Sequence, residues 1–272
     1  RGSTTNADSV TLRGANGGLI ISVDVAAGSW CVGTSSCTRL AGRGWDRVDA
    51  VGVGDILALA AYRMTDIPGQ DNSVVYYLGG PPAINLPQMG IVTYALVDGT
   101  APSSPQSAQG EFGFFTGEMA VAFGTQTRIG INFNIEIDDV GFSATTPGGA
   151  ADPAQSNIVL RNNDGVFASQ IGISGTSGDA CTGNCFAFVQ GGLFGDGASH
   201  GGFVYTVRDN IRQFAGTAVF EAGGTAIDSI GTRPGGGTGG SSDTLIAPDF
   251  TGTLADQFTF VGNSGARGTG DA

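Results

Sequence analysis

The ten residues "INFNIEIDDV" (131–140) alternate throughout their first eight positions: Ile131, Phe133, Ile135 and Ile137 fall on one side, Asn132, Asn134, Glu136 and Asp138 on the other. A period of two sends successive side chains to opposite faces of a strand, so the stretch reads as a β-strand with one dry and one wet face. The same pattern recurs in "LIISVDV" (19–25), "EMAVAF" (118–123), "FVYTVRD" (203–209) and "TAVFEA" (217–222). Between such runs stand turn signals: "TPGG" (146–149), "NNDG" (162–165) and "GDG" (195–197). Strands in hairpin order suit an antiparallel up-and-down barrel or a sandwich. Helical periodicity is scarce. "DILALAAYRM" (55–64) fits either a short helix capped by Asp55 or a buried strand, and its β surroundings favour the strand.

Glycine supplies 48 of the 272 residues, yet a 40% hydrophobic fraction and 16 phenylalanines exceed what a disordered chain carries. The chain is a folded, turn-rich, all-β protein, long enough for one large domain or two modest ones. The Pro-rich break "GGPPAINLPQMG" (79–90) marks a boundary, because proline cannot donate to a sheet ladder. After Ala222 the composition turns Gly-rich and linker-like until "TGTLADQFTFVGNSGARGTGDA" (251–272) supplies a last strand. The expected division is a smaller N-terminal β segment over 1–80, the main domain over 81–222, and a Gly-rich tail with a terminal strand over 223–272.

The formal net charge is −12, and all twelve basic residues are arginine. Their one dense group, Arg39, Arg43 and Arg47, is interleaved with Asp46 and Asp49, so the clustered cations that nucleic acid or an anionic membrane surface requires are missing. No apolar run approaches the ~18 residues of a membrane-spanning helix. Four cysteines form two close pairs, Cys31 with Cys37 and Cys181 with Cys185. Such local pairs in a Gly-, Ser- and Thr-rich acidic chain read as disulfides of an oxidising compartment, and the chain as the processed form of an exported protein. Zinc is the competing reading, although its four-cysteine sites use tighter knuckles than these.

Two longer stretches carry a family resemblance. The first runs through Leu86, Pro87, Gly90, Tyr94, Gly99, Thr100 and Pro102; Phe123 fits a middle strand and Cys181 with Cys185 a short cysteine pair. The second runs through Gly192, Phe194, Gly195, Ala198, Tyr205, Asp209, Gly216 and Phe220. Over residues 76–222 or so, the chain resembles the transferrin-binding-protein-like β-barrel domain found at the C-terminal end of large exported Gram-negative proteins with FecR-type domains. The resemblance implies an antiparallel eight-stranded up-and-down barrel beside a smaller β segment, at the outer surface of a Gram-negative bacterium or outside the cell. It implies no enzyme activity, and a fold by itself fixes no function.

Catalysis finds little to work with. His200 is the one histidine, there is no G-x-S-x-G elbow, and no lysine exists for Schiff-base chemistry. Glu136 and Asp138, with Asp139 and Glu118 nearby, read as the solvated outside of a wall rather than as a catalytic carboxylate pair. The glycines Gly235, Gly237 and Gly240 lack the strand and helix that a dinucleotide fingerprint needs. His200, on a glycine turn, is a candidate metal or haem ligand that brings no visible co-ligands. Calcium finds oxygen donors in "RNNDG" (161–165), where Asp164 is the candidate, but no EF-hand or repeated nonapeptide. No cofactor is expected.

Two functions follow from these readings. The first is a non-enzymatic extracellular structural or adhesive subunit, self-assembling into a filament or surface layer. Its terminal segments, with Val10, Leu12, Leu19, Ile21 and Val23 at one end and Leu254, Phe258 and Phe260 at the other, would add as strands to copies of the same chain. The second is a cell-surface binding protein whose barrel loops hold another protein or an iron- or haem-bearing partner.

Overall fold

The alternation around residue 133 becomes a strand of a closed barrel. The computed structural model describes residues 3–6, 9–13, 19–24, 29–32, 36–39, 47–53, 56–63, 73–80, 83–104, 113–137, 139–161, 165–209, 212–231 and 259–267. These form three antiparallel sheets. The first, in chain order, holds β1 (Ser3–Asn6), β2 (Ser9–Arg13), β3 (Leu19–Asp24), β4 (Ser29–Val32) and β5 (Ser36–Arg39). The second begins with β6 (Arg47–Val53), β7 (Ile56–Arg63) and β8 (Ser73–Gly80). "DILALAAYRM" thus lies on a strand, not a helix.

The third sheet holds β9 (Gly90–Ser103), β10 (Phe114–Phe123), β11 (Arg128–Ile137), β12 (Val140–Thr145), β13 (Val166–Ser177), β14 (Phe186–Phe194), β15 (His200–Arg208) and β16 (Gln213–Ala222). Each pairs with the next, and β9 pairs with both β10 and β16, so the eight strands close into an up-and-down barrel with no free edge. One seam is split. β9 meets β10 only over Gly90–Tyr94 and Met119–Phe123. Further along, a short extra strand, β17 (Ile230–Gly231), pairs with Phe114 and Phe115, and the Ile227 amide donates to the Leu96 carbonyl at 2.8 Å. The last strand, β18 (Thr259–Arg267), returns to the second sheet and pairs with β8, giving the order β18, β8, β7, β6. No helix among the described residues is long and apolar enough to cross a membrane.

The barrel interior is solid. Phe115 stacks on Tyr205 at 5.0 Å between ring centroids and on Phe133 at 5.6 Å, and Phe203 stacks on Phe220 at 5.4 Å. All five are fully buried, together with Ile131, Ile135, Phe142, Phe167 and Val189. Each such side chain stabilises the fold by about 1.5–3 kcal/mol through the apolar surface it removes from water. Their alternation partners face outward. On β10 to β12 these are Thr116, Glu118, Asn132, Asn134, Glu136, Ser143 and Thr145, half-buried or exposed, with the Asn132 amide donating to Glu118 at 3.0 Å and that of Asn134 to Thr116 at 3.3 Å. A lipid-embedded barrel presents an apolar band there; this wall faces water.

The opposite wall carries a second core. Phe194, Val204, Ala215 and Val219 point out of the barrel onto Ile56, Ala58, Ala60, Tyr76 and Leu78 of the second sheet. Leu78 lies over Gly202, Gly80 over Phe194, and the Tyr76 hydroxyl bonds that of Ser103, so β8 crosses the barrel strands obliquely.

Candidate functional site

One end of the barrel lies where β9, β11, β13 and β15 begin. The segment 83–90 closes it, and backbone bonds fix its course: Ala83 N–H donates to the Leu193 carbonyl at 3.1 Å, Ile84 N–H to Gly195 at 3.1 Å, and Gly197 N–H to Ile84 at 2.8 Å. The Asn85 amide donates to Asp196 Oδ1 at 2.8 Å, and Leu86 packs inward against the barrel core. The turn it clasps is tight: Gly195, Gly197 and the fully buried Ala198 all hold positive φ, and the Tyr94 hydroxyl donates to the Ala198 carbonyl at 2.8 Å. With Leu86 turned in, its neighbours turn out. Ile84 is 55% exposed, Met89 82% and Ile91 58%, three of the four large apolar side chains exposed among the described residues. Sequence reasoning treated this segment as a Pro-rich boundary and passed over them. Apolar residues that persist between prolines and glycines, where solubility asks for polar ones, were the available signal.

His200 lies beside this rim, as the first residue of β15 rather than at the tip of a turn, and its imidazole is only 17% exposed. Its Nδ1 shares a hydrogen bond with the Ser199 hydroxyl at 3.0 Å, and its Nε2 is 3.9 Å from Glu221, the residue directly across on β16. Among the described residues no three of His, Cys, Asp and Glu converge on a metal-sized site. Asp164 and Asp138 lie outside the described residues. Glu136 stands across from Gly141 on the wet wall, and Glu118 accepts from Asn132, a structural use of both faces.

The other end carries the cysteine pair. Cys181 and Cys185 are free thiols in the turn between β13 and β14, and the Cys185 thiol lies 3.5 Å from the Gly183 carbonyl. Burial, then the neighbouring Cys185 thiol and Asp209, push the Cys181 thiol up to about 12. Beside them Arg212 ties two turns together. Its guanidinium bonds Asp179 and lies 3.7 Å from Asp209, whose Oδ1 accepts the Arg212 backbone N–H at 2.7 Å. The hydrogen bond from the Arg212 guanidinium holds the Asp179 carboxyl below the usual carboxylate range. Cys31 and Cys37 stand directly opposite each other on β4 and β5. Facing residues of an antiparallel pair have Cα atoms about 4.5–5.5 Å apart, within the span of a disulfide.

The residues expected to join neighbouring copies sit otherwise. Val10, Leu12, Leu19, Ile21 and Val23 lie on β2 and β3, where Val10 faces Val23 and Leu12 faces Ile21, and strands of the same sheet flank both. Phe260 pairs with Gly79 of its own chain. Leu254 and Phe258 lie outside the described residues.

No protein-family model and no curated protein matches the sequence. Solved structures do. Among those to which the chain is similar are structures of transferrin-binding protein B. One is a point mutant of this vaccine antigen from Actinobacillus pleuropneumoniae H49, at 12% identity and a TM-score of 0.37 over 78% of this chain and 98% of that one. Another is the isotype 1 protein from serogroup B Neisseria meningitidis, at 11% identity and 0.27 over 79% of this chain and 43% of that one. A third is an intact protein with N and C lobes, at 8% identity and 0.26, of which this chain spans 45%. The barrel assignment rests on the strand pairing itself.

Proposed function

We propose that the chain is a non-enzymatic binding protein at the outer surface of a Gram-negative bacterium, holding a protein partner on the rim formed by residues 83–91. The observation that carries this reading is the exposure of Ile84, Met89 and Ile91 within eight residues at one end of a sealed barrel. Soluble monomers seldom expose clustered large apolar side chains, and where they do the cluster marks an interaction site. Stacked aromatic rings of Phe115, Phe133, Phe203 and Tyr205 occupy the barrel interior, and His200 is held by Ser199 and lies close to Glu221 at the rim. The motif resemblance points to the same class of protein. Self-assembly by donating β2, β3 or β18 is disfavoured, because each of these would first give up pairings within its own chain.

A photo-crosslinking amino acid at position 89, in protein displayed on Gram-negative cells exposed to serum, tests the reading. A discrete adduct from position 89 that is missing from position 145, on the polar wall, supports it. No adduct, or equal adducts from both, refutes it. Transferrin, the partner named for the similar structures, is the first protein to look for in that adduct.

A further inference from the structure

The second sheet does not cover the barrel wall evenly. On β14 the outward residues run Phe194, Gly192, Gln190 and Phe188. The first is 1% exposed and the second buried, Gln190 is half-buried and Phe188 41% exposed. On β15, Val204 is 2% exposed, Thr206 half-buried and Arg208 exposed. Phe188 faces Thr206 across the ladder, and Phe186 faces Arg208. Cover therefore ends along a line just past Val204, where β18, the edge strand of the sheet, packs over β15 and β14.

Among the described residues β18 pairs on one side alone, with β8, and its other side meets the exposed Phe188 along that line. An edge strand presents backbone N–H and C=O groups to whatever arrives, and adjacent strands in a sheet lie about 4.8 Å apart. A fifth strand bonded to β18 would lie over Thr206 and Gln190, with the Phe188 ring against its inward side chains. The apolar interface between sheet and barrel would then run on by one strand, and Phe188 would lose most of its contact with water.

We propose that the β18 edge and the Phe188 wall form a strand-addition site for one extended segment of a partner protein, with alternating apolar residues and an acidic residue placed to reach Arg208. In strand addition the main-chain bonds give affinity and alternate side chains give register; here Phe188 selects the apolar face and Arg208 the charge. The site lies on a different face from the 83–91 rim, so its failure leaves that reading standing.

The test uses the full chain and a panel of ten-residue peptides that alternate valine and threonine, with and without a glutamate near one end, against scrambled peptides of the same composition. The alternating peptide with glutamate should protect β18 amides from hydrogen exchange. Phe188→Glu should weaken its binding at least tenfold and Arg208→Glu should erase the preference for glutamate, while Met89→Asp/Ile91→Asp changes neither. Phe188→Thr, a milder substitution at an exposed position, should weaken binding at an unchanged melting temperature and so separates contact from folding. The proposal is overturned if no panel peptide protects β18, if β18 amides are equally protected in the free protein, or if Phe188→Glu binds as the wild type does.

Discussion

Tyr205→Phe should make this protein more stable, and the same substitution at Tyr94 should make it less so. Both tyrosines are buried in the barrel, but their hydroxyls differ in circumstance. The Tyr94 hydroxyl donates to the Ala198 carbonyl at 2.8 Å, whereas the Tyr205 hydroxyl, at 0% exposure, has no hydrogen-bond partner among the described residues. It projects towards Gly216, the residue directly across on β16. A buried polar group left unsatisfied costs about 1–3 kcal/mol, and the dispersion contacts of one oxygen offset only a few tenths of that. Removing the Tyr205 oxygen keeps the ring on Phe115 and Phe133 and should stabilise by about 1–2 kcal/mol. Removing that of Tyr94 loses a made bond and orphans a carbonyl, for a loss of about 1–3 kcal/mol. For a chain of this size each kcal/mol moves the midpoint by about 2–4 °C, so calorimetry of the two variants should bracket the wild type. If Tyr205→Phe melts below the wild type by as much as Tyr94→Phe does, the Tyr205 hydroxyl is satisfied after all and the reasoning fails.

A Cβ on Gly216 would come within 2.7 Å of Tyr205 Cζ and closer still to its hydroxyl, so Gly216→Ala should cost about 1–3 kcal/mol in urea denaturation, with part of the loss recovered when Tyr205→Phe is added. Burial raises the Asp98 carboxyl above its ordinary range, against the opposing hydrogen bond from the Gly99 N–H at 2.8 Å. A raised carboxyl means the native state takes the proton more readily than the unfolded one, so its stability is greatest in acid and falls as pH rises through the native value. Asp98→Asn, which keeps the acceptor oxygen, should therefore melt higher than the wild type at pH 7, with the gap closing towards pH 3. Although Cys181 and Cys185 stand as separate thiols, they lie close enough for each to affect the other, and Cys31 stands directly opposite Cys37, so intact mass without reductant should show two internal disulfides, Cys31–Cys37 and Cys181–Cys185; four alkylatable thiols would refute this. In the reduced protein Cys181 should react slowly with iodoacetamide at neutral pH, because a thiol raised to about 12 offers little thiolate.

Strand character was legible wherever one face is wet. "INFNIEIDDV" reads as a strand because Asn132, Asn134 and Glu136 meet solvent while Ile131, Phe133 and Ile135 meet the core, so period two is written into the residues. On β15 and β16 the alternation read over 203–209 and 217–222 is weaker, because the outward residues Val204, Ala215 and Val219 lie under the second sheet and are as apolar as their inward neighbours. "ILALAAYR" left helix and strand open because its apolar residues run on without a break, so no period separates one face from the other. The return of β18 to β8 had no sequence signal at all. Backbone pairing across nearly two hundred residues depends on where the barrel leaves an edge uncovered, and the Gly-rich stretch before β18 carries no such information. The rim was missed for a related reason: Leu86 turns in and Ile84, Met89 and Ile91 turn out only because segment 83–90 is clasped by the 195–199 turn, a tertiary contact.

The packing also dictates where a partner can be met. The eight-stranded barrel is filled by stacked aromatic rings, and its β10 to β12 wall, ordered by Asn132–Glu118 and Asn134–Thr116, is polar and already hydrogen-bonded. Its other wall is spent on the second sheet. Burying the apolar outer face of β14 to β16 fixes the sheet's position, and among the described residues Phe188, 41% exposed, lies beyond its cover. The ends differ in the same way. At one, Arg212 ties the 179 and 209 turns together with charge and the cysteines sit in the turn beside it; at the other, backbone bonds hold a segment whose exposed side chains are apolar. Apolar area is what a protein partner can desolvate at little cost, whereas a paired charge must first be stripped of its partner. Binding energy is therefore available at residues 83–91 and along β18, and the two sites should be separable by mutation, since no described contact joins Met89 to Phe188.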